Sequence, residues 1–221
     1  MNFLSSHPAF NDTIDSLKNE YKDDRSNDVI ICGGHDFSRR YSLDYFKQRY
    51  GRVIVFNQEP LLATQRQFMH NGYLQWIKQA DEVWDYDEQN IEVLNYIRSD
   101  IKLHLLKPYK DWSKFKPVDK DIDILFYGSM NEHRSRVLGE LKKHYNVVEF
   151  KYGVNPNWGD LDKYIMRSKI LLNIHFYFEC AMQEQARMIR WIGAPCKIIS
   201  EKSWKNYLGI EELEYEELFK I

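Results

Sequence analysis

The chain is poor in the residues that build anything other than a packed core. Its three cysteines, Cys32, Cys180 and Cys196, are odd in number and far apart, with no Cys-x-x-Cys spacing. That argues against a disulfide framework or a cysteine-based structural zinc site and fits a reducing cytoplasm. Ten glycines and six prolines in 221 residues exclude a collagen-like or low-complexity chain. No run approaches the ~18 apolar residues that a membrane-spanning helix needs. The opening MNFLSSHPAFND lacks the basic stretch and apolar run of a secretory leader. Neither charge sign dominates: 31 Lys plus Arg face 33 Asp plus Glu, a net charge of −2, so no global field draws the protein toward nucleic acid. A Walker A run, GxGxxG, GxSxG and HExxH are all missing, which leaves P-loop phosphoryl transfer, hydride transfer, serine hydrolysis and zincin chemistry without local support.

Hydrophobic residues at 43% and charged residues at 29% describe a soluble globular chain with enough apolar side chains for a core. Short apolar runs that end in turn residues read as buried strands: 28–32 before Gly33-Gly34, 52–56 before Asn57, 82–84, 122–127, 147–150, 170–175 and 197–200, with a further extended run at 102–106. Helical spacing is expected over 41–50, 71–79, 87–97 (with Asp87 at its cap), 132–144, 160–168 and 180–192. Strand and helix alternate throughout, so the fold class is α/β, with parallel sheets flanked by helices. The segment 107–120, KPYKDWSKFKPVDK, holds two prolines, many lysines and no periodicity. It divides the chain into an expected N-terminal lobe, 1–118, and a C-terminal lobe, 119–221, two Rossmann-like lobes facing one another across a cleft. Ligands of open α/β sheets bind beyond the carboxyl ends of the strands, which points to the loops after Cys32, Phe56, Tyr127, His175 and Ser200.

The strongest segment is DIDILFYGSMNEHRSRVLGEL, residues 121–141, where a strand runs into Gly128-Ser129 and then a helix opening near Asn131. A small residue lets backbone approach a ligand, the helix start offers free N–H groups, and Arg134 can pair with a phosphate; together they suit a diphosphate. Downstream, RSKILLNIHFYFECAMQEQARMIRWIGAPCKIISEKS, residues 167–203, places Asn173, His175, Tyr177, Glu179, Glu184 and Arg187 at and beyond a strand end. The joint pattern of strand-Gly-Ser-x5-Arg, Lys-Ile-x-Leu-Asn, a Glu-bearing helix and Gly-x-Pro-x-x-x-x-Ser resembles the GT-B glycosyltransferases. The resemblance covers about 85 residues well and the first lobe loosely. It implies transfer of a sugar from a nucleoside diphosphate donor, a UDP-sugar by expectation, to a hydroxyl, with the donor on the C-terminal lobe. Gly128, Ser129 and Arg134 would cradle the diphosphate, Glu184 would accept ribose hydroxyls, and Asn173, His175 and Arg187 would complete the donor set. The second acidic residue of the family pattern falls on Phe176. A bland reading of Glu184 and Arg187 as an i, i+3 ion pair, and of Asn173 and His175 as a strand end satisfied without ligand, stands beside this one.

The residues placed to activate an acceptor hydroxyl are Asp36 first, Glu59 second and His35 third, each after a strand of the first lobe. Their plain alternatives are a helix cap, a turn fixed by Pro60 and a turn hydrogen bond. Asp85-Tyr86-Asp87 has the form of a metal motif but precedes a helix, where aspartate caps free N–H groups, and no metal or other cofactor is expected beyond the sugar nucleotide. The small size and the NIHFYFE stretch resemble phage-type glycosyltransferases that decorate hydroxymethylcytosine in DNA, which implies a DNA acceptor in a host cytoplasm. Basic residues at Arg39, Arg40, Lys47, Arg49 and Arg52, linker residues Lys107, Lys110, Lys114 and Lys116, and aromatics Tyr41, Trp112 and Phe115 are the candidate contacts. A small-molecule or polysaccharide acceptor needs no such patch. Two other readings stay open: a nucleotide-binding module without transferase activity, and a non-glycosyl α/β enzyme such as a phosphosugar epimerase.

Overall fold

The computed structural model describes residues 1–61, 70–150 and 160–221. They form two units, Met1–Tyr109 with Gln185–Ile189, and Lys110–Glu184 with Arg190–Ile221. The chain thus changes unit inside the proline- and lysine-rich segment, ahead of Val118, and one later stretch returns to the first unit. Each unit is built on a five-stranded, wholly parallel sheet.

Unit 1 contains β1 (Asn2–Ser5), β2 (Val29–Cys32), β3 (Val53–Asn57), β4 (Glu82–Asp85) and β5 (Lys102–Leu103), in the spatial order β1-β2-β3-β4-β5. Helices α1 (Asn11–Glu20), α2 (Gly34–Phe37), α3 (Leu43–Lys47), α4 (Asn71–Gln79) and α5 (Glu88–Leu94) connect them. Because side chains alternate along a strand, Val29, Ile31, Val53, Val55 and Val83 share one face and pack with Leu43, Phe46, Tyr73, Trp76, Ile77 and Leu94. The other face carries Phe56 and Trp84, with His104 stacked on Trp84 at 4.4 Å and Tyr21 beyond it at 6.0 Å. Burial on both faces, about 1.5–3 kcal/mol for each large apolar side chain, is why these strands read as continuous apolar runs rather than alternating ones.

Unit 2 contains β6 (Ile122–Tyr127), α6 (Glu132–Leu141), β7 (Val147–Phe150), α7 (Leu161–Arg167), β8 (Ser168–Asn173), β9 (Lys197–Glu201) and β10 (Glu211–Leu213), with a 3-10 helix over Tyr215–Lys220. The sheet order is β10-β9-β8-β6-β7. The chain therefore steps outward from β6 to β7, recrosses to β8 on the other side, and continues to β9 and β10. Ile124, Phe126, Leu172, Ile174 and Ile199 pack with Val137, Leu138 and Leu141 of α6 and with Leu218.

Several expected elements change extent. The helix expected over 180–192 shrinks to Gln185–Met188. Ala181 adopts φ 44°, a left-handed conformation that interrupts a right-handed helix. Gln185 turns its amide to other segments of unit 1, accepting from Leu106 N at 3.3 Å and donating to Tyr86 O at 3.0 Å. The run at 102–106 pairs only over Lys102–Leu103, and the helix expected over 41–50 closes at Leu43–Lys47. Strands β1 and β10 and helix α1 had no counterpart in the sequence reading. Among the described residues no helix is long and apolar enough to cross a membrane.

Candidate functional site

The direction of winding reverses once in unit 2, between β6 and β8. At such a reversal the connections leave toward opposite faces and a crevice opens beyond the carboxyl ends of the two strands. The residues at those ends are Gly128 and Ser129 after β6, and Ile174, His175 and Phe176 after β8. Gly128 has φ 141°, a conformation closed to ordinary L side chains, and its N–H reaches Phe150 O at 3.2 Å. Ser129 is exposed. Asn131 then caps α6: its Oδ1 accepts from Arg134 N at 3.0 Å, and its Nδ2 donates to Phe176 O at 2.8 Å. One short side chain thus starts the helix and ties it to the loop leaving β8.

Arg134 is brought to the same place but is 2% exposed. Its Nε donates to Ile174 O at 2.8 Å, Nη1 to Ser129 O at 2.7 Å and Nη2 to Glu184 Oε1 at 3.0 Å. Burial lowers its pKa to about 9, with Glu201 and Tyr177 pulling the other way. The guanidinium remains charged at neutral pH and serves first as a clasp between the two strand ends. Glu184 also accepts from Phe176 N at 3.3 Å. Asn173 donates to Ser200 Oγ at 2.9 Å, while its Oδ1, fully buried, has no hydrogen-bond partner among the described residues. His175 N donates to Glu201 Oε2 at 2.7 Å, and the ring Nε2 lies 3.2 Å from Lys202 O. Gly128, Ser129, Arg134, Asn173, His175 and Glu184 therefore belong to one unit and to the ends of adjacent strands. Arg187 lies on Gln185–Met188, within unit 1.

In unit 1 the three acceptor-side candidates gather beyond β2 and β3. Gly33, at φ 75°, caps α2, and a Cβ there would lie 2.0 Å from Ser6 Oγ, so only glycine fits against the end of β1. Ser6 Oγ donates to Asp36 Oδ2 at 3.1 Å, and the other carboxylate oxygen lies 3.6 Å from His35 Nε2. Burial lowers the pKa of His35, opposed by Asp36. Glu59 is partly buried, and burial together with the charge of Asp36 raises its carboxyl to about 7. Its backbone carbonyl accepts from Asn57 Nδ2 at 2.9 Å and Asn90 Nδ2 at 3.0 Å, which fixes the turn. Asp87 caps α5, accepting from Gln89 N at 2.9 Å. Asp85 is fully buried, accepting from Asn57 Nδ2 at 2.7 Å and Asp87 N at 2.8 Å; burial nonetheless pushes its carboxyl well up.

No family model matches this chain. Three uncharacterized proteins of Acanthamoeba polyphaga mimivirus are similar to it in sequence. L137 is 30% identical over 160 residues, covering 68% of this chain and 20% of that protein. L138 is 26% identical over 165 residues, covering 72% and 18%, and L140 is 24% identical over 199 residues, covering 86% and 60%. The chain thus spans about a fifth of the length of the first two relatives. Among solved structures, a GtfA/B complex bound to UDP and GlcNAc aligns with a TM-score of 0.34 and 15% identity, over 86% of this chain and 46% of that one. So low a score carries no argument about the site.

The expected DNA contacts divide. In the linker, Lys107 pairs with Glu20 at 2.7 Å, Lys110 with Asp162, and Lys114 with Asp111 at 3.2 Å. Trp112 is buried, its Nε1 donating to Arg190 O at 3.0 Å, which withdraws it from stacking on a base. Lys47 pairs with Asp81 at 3.0 Å and Arg52 with Asp28 and Glu82. Tyr41 and Tyr45 remain exposed at 43% and 40%, with the Arg49 guanidinium 3.6 Å above the Tyr45 ring. His133 and Glu201, absent from the sequence reading, also stand at the strand ends of unit 2.

Proposed function

We propose that this chain is a glycosyltransferase that takes a sugar from a nucleoside diphosphate donor, a UDP-sugar, held by unit 2. The observation that carries this reading is the convergence of Gly128, Ser129, Asn131, Arg134 and Glu184 on the point where the unit 2 sheet reverses its winding. In this reading the diphosphate lies against the Gly128-Ser129 backbone and the first turn of α6, whose N–H groups and dipole oppose the growing negative charge. Glu184 accepts from ribose hydroxyls while Arg134 holds it in place. No metal is needed for that stabilisation.

As the bond from the sugar to the diphosphate breaks and the acceptor oxygen bonds to the same carbon, the acceptor proton must leave. Unit 1 offers Glu59 for it. A carboxylate titrating near 7 is matched to taking a proton at neutral pH, and the role of Asp36 is then to raise Glu59, with His35 and Ser6 holding Asp36. For the acceptor, hydroxymethylcytosine in DNA is the proposal, with Tyr41, Tyr45 and Arg49 as the surface left to meet it.

Calorimetry with UDP, GDP and inorganic phosphate on the native protein and on Arg134→Ala and Glu184→Ala tests the donor site. Selective nucleotide binding that both changes weaken supports it. Absence of nucleotide binding by folded native protein contradicts it. Nucleotide binding with no sugar released from any donor would leave a binding module in its place.

A further inference from the structure

Helix α6 opens Glu132-His133-Arg134 after its cap Asn131, and the arginine donates to three protein acceptors. Its neighbour is arranged differently. The His133 ring lies between Phe178, at 4.8 Å and 19° between planes, and Tyr215, at 4.2 Å and 16°. Its Nε2 stands 2.8 Å and 3.0 Å from the two oxygens of Glu201. Glu201, at the end of β9, is 6% exposed and also accepts from His175 N. Tyr215 in turn donates to His133 O at 3.3 Å.

A carboxylate this buried needs donors, so Nε2 carries a hydrogen and the ring is fixed in orientation and tautomer, as in the carboxylate–histidine pairs of metal and acyl-transfer sites. The stacking rings prevent it from turning. Nδ1 is then the atom left for something else: it makes no hydrogen bond to any described residue, and the side chain keeps 13% of its surface exposed. The elements that supply the parts are the start of α6, which follows β6, the exit of β8 and the end of β9; β6 and β8 are the strands that frame the reversal of the sheet, and β9 is the next strand beside β8.

We infer that His133, oriented by Glu201, is the catalytic residue that in its protonated form gives an Nδ1–H hydrogen bond and a positive charge to the diphosphate of the donor; Arg134 is a positioning residue. The inference rests on the nucleotide-site reading above. When the sugar–oxygen bond breaks, its electron pair passes to the phosphate oxygen. The proton on Nδ1 moves onto that oxygen, and a neutral imidazole stays hydrogen-bonded to Glu201 until solvent reprotonates it. Charged and titratable groups around the ring are Glu201 from β9, Tyr215 and Glu216 from the last 3-10 helix, Glu132, Arg134 and Arg136 from α6, and Tyr177 from the loop that carries Phe178.

The test is calorimetric titration of UDP into native protein, His133→Gln and Glu201→Gln at about pH 6 and about pH 8, the range that brackets imidazole ionisation. Taking native over variant at each pH cancels the titration of UDP itself. The native protein should bind about tenfold more tightly than His133→Gln near pH 6, with the ratio falling to about two- or threefold near pH 8, and Glu201→Gln should fall between. An equal ratio at both pH values, or unchanged binding by a folded His133→Gln, overturns the inference while leaving the donor site intact. No UDP binding by native protein overturns both. Should the variants fail to fold, nitrogen-15 NMR of the native imidazoles decides: UDP must raise the titration midpoint of His133, and an unmoved midpoint refutes the role.

Discussion

Two sheets with the same number of strands, all parallel, end in quite different surroundings. In unit 1 the strands lie in the order in which they occur, so the winding never reverses and no crevice is dictated by topology. Beyond β3 and β4 that sheet closes itself: Asn57 bonds Asp85 and Glu59 O, Tyr73 bonds Asn57, Tyr86 bonds Gln58 O, and Asn90 bonds Glu59 O. In unit 2 the order reverses between β6 and β8, and at that end of β8 Asn173 Oδ1 is buried with no hydrogen-bond partner among the described residues. Strand order, more than strand composition, separates the two sheets: a reversal opens a crevice beyond the strand ends of one, and the order of the other dictates none. Glu59, also in unit 1, has its carboxyl raised to about 7 by burial and by the charge of Asp36.

The comparison breaks most readily at Arg134. Arg134→Ala removes the clasp between strand ends and leaves two carbonyls and a carboxylate short of a donor. A loss of about 3–5 kcal/mol is expected in denaturant unfolding, and Arg134→Lys should recover only part of it, since one ammonium cannot replace a three-way fork. A loss under about 1 kcal/mol would mean that unit 2 is not held together there.

Glu59→Gln sharpens the other half. Its acid is raised on folding, so the native state holds a proton that the unfolded chain releases. The associated stability is complete below about pH 4.5 and is lost as pH rises through about 7. Glu59→Gln should therefore stabilise the protein near pH 8, by up to about 3 kcal/mol, and do nothing near pH 4. If Glu59 is the base, the same change abolishes sugar transfer, and the native rate rises with pH through about 7.

Smaller effects grade the packing. Gly33→Ala forces a methyl onto Ser6 Oγ at a left-handed position and should cost about 2 kcal/mol in thermal or chemical unfolding, loosening the Ser6–Asp36 contact. Asn131→Ala removes the α6 cap and the link to Phe176 O; about 1–2 kcal/mol and a faster amide exchange at residues 132–134 are expected. Lys143→Ala, which removes an exposed i, i+3 pair with Glu140, should change stability by less than about 0.5 kcal/mol.

Much of this was legible in the residues because buried parallel strands leave unbroken β-branched runs: Val29–Cys32, Val53–Asn57 and Ile122–Tyr127 stand where they were expected. Helix α1 was not, since it buries Asp12, Thr13 and Ser16 beside Ile14 and Leu17, and polar residues on the inner face erase the apolar stripe. Strands β1 and β10, of four and three residues, form through pairing with β2 and β9 rather than through their own propensity. The Gly-Ser turn, the Asn131 cap and Arg134 could be read locally. That Arg134 is enclosed, that Glu184 meets it, and that His133 and Glu201 join across 68 positions are products of strand order, which no local pattern encodes.

The most direct test of the central claim is amide hydrogen exchange of the native protein with and without saturating UDP. The account requires added protection confined to 128–134 and 174–184, where the unit 2 sheet reverses, with the strand ends of unit 1 unchanged. Protection appearing instead at 33–36 and 57–59, or nowhere, would contradict it.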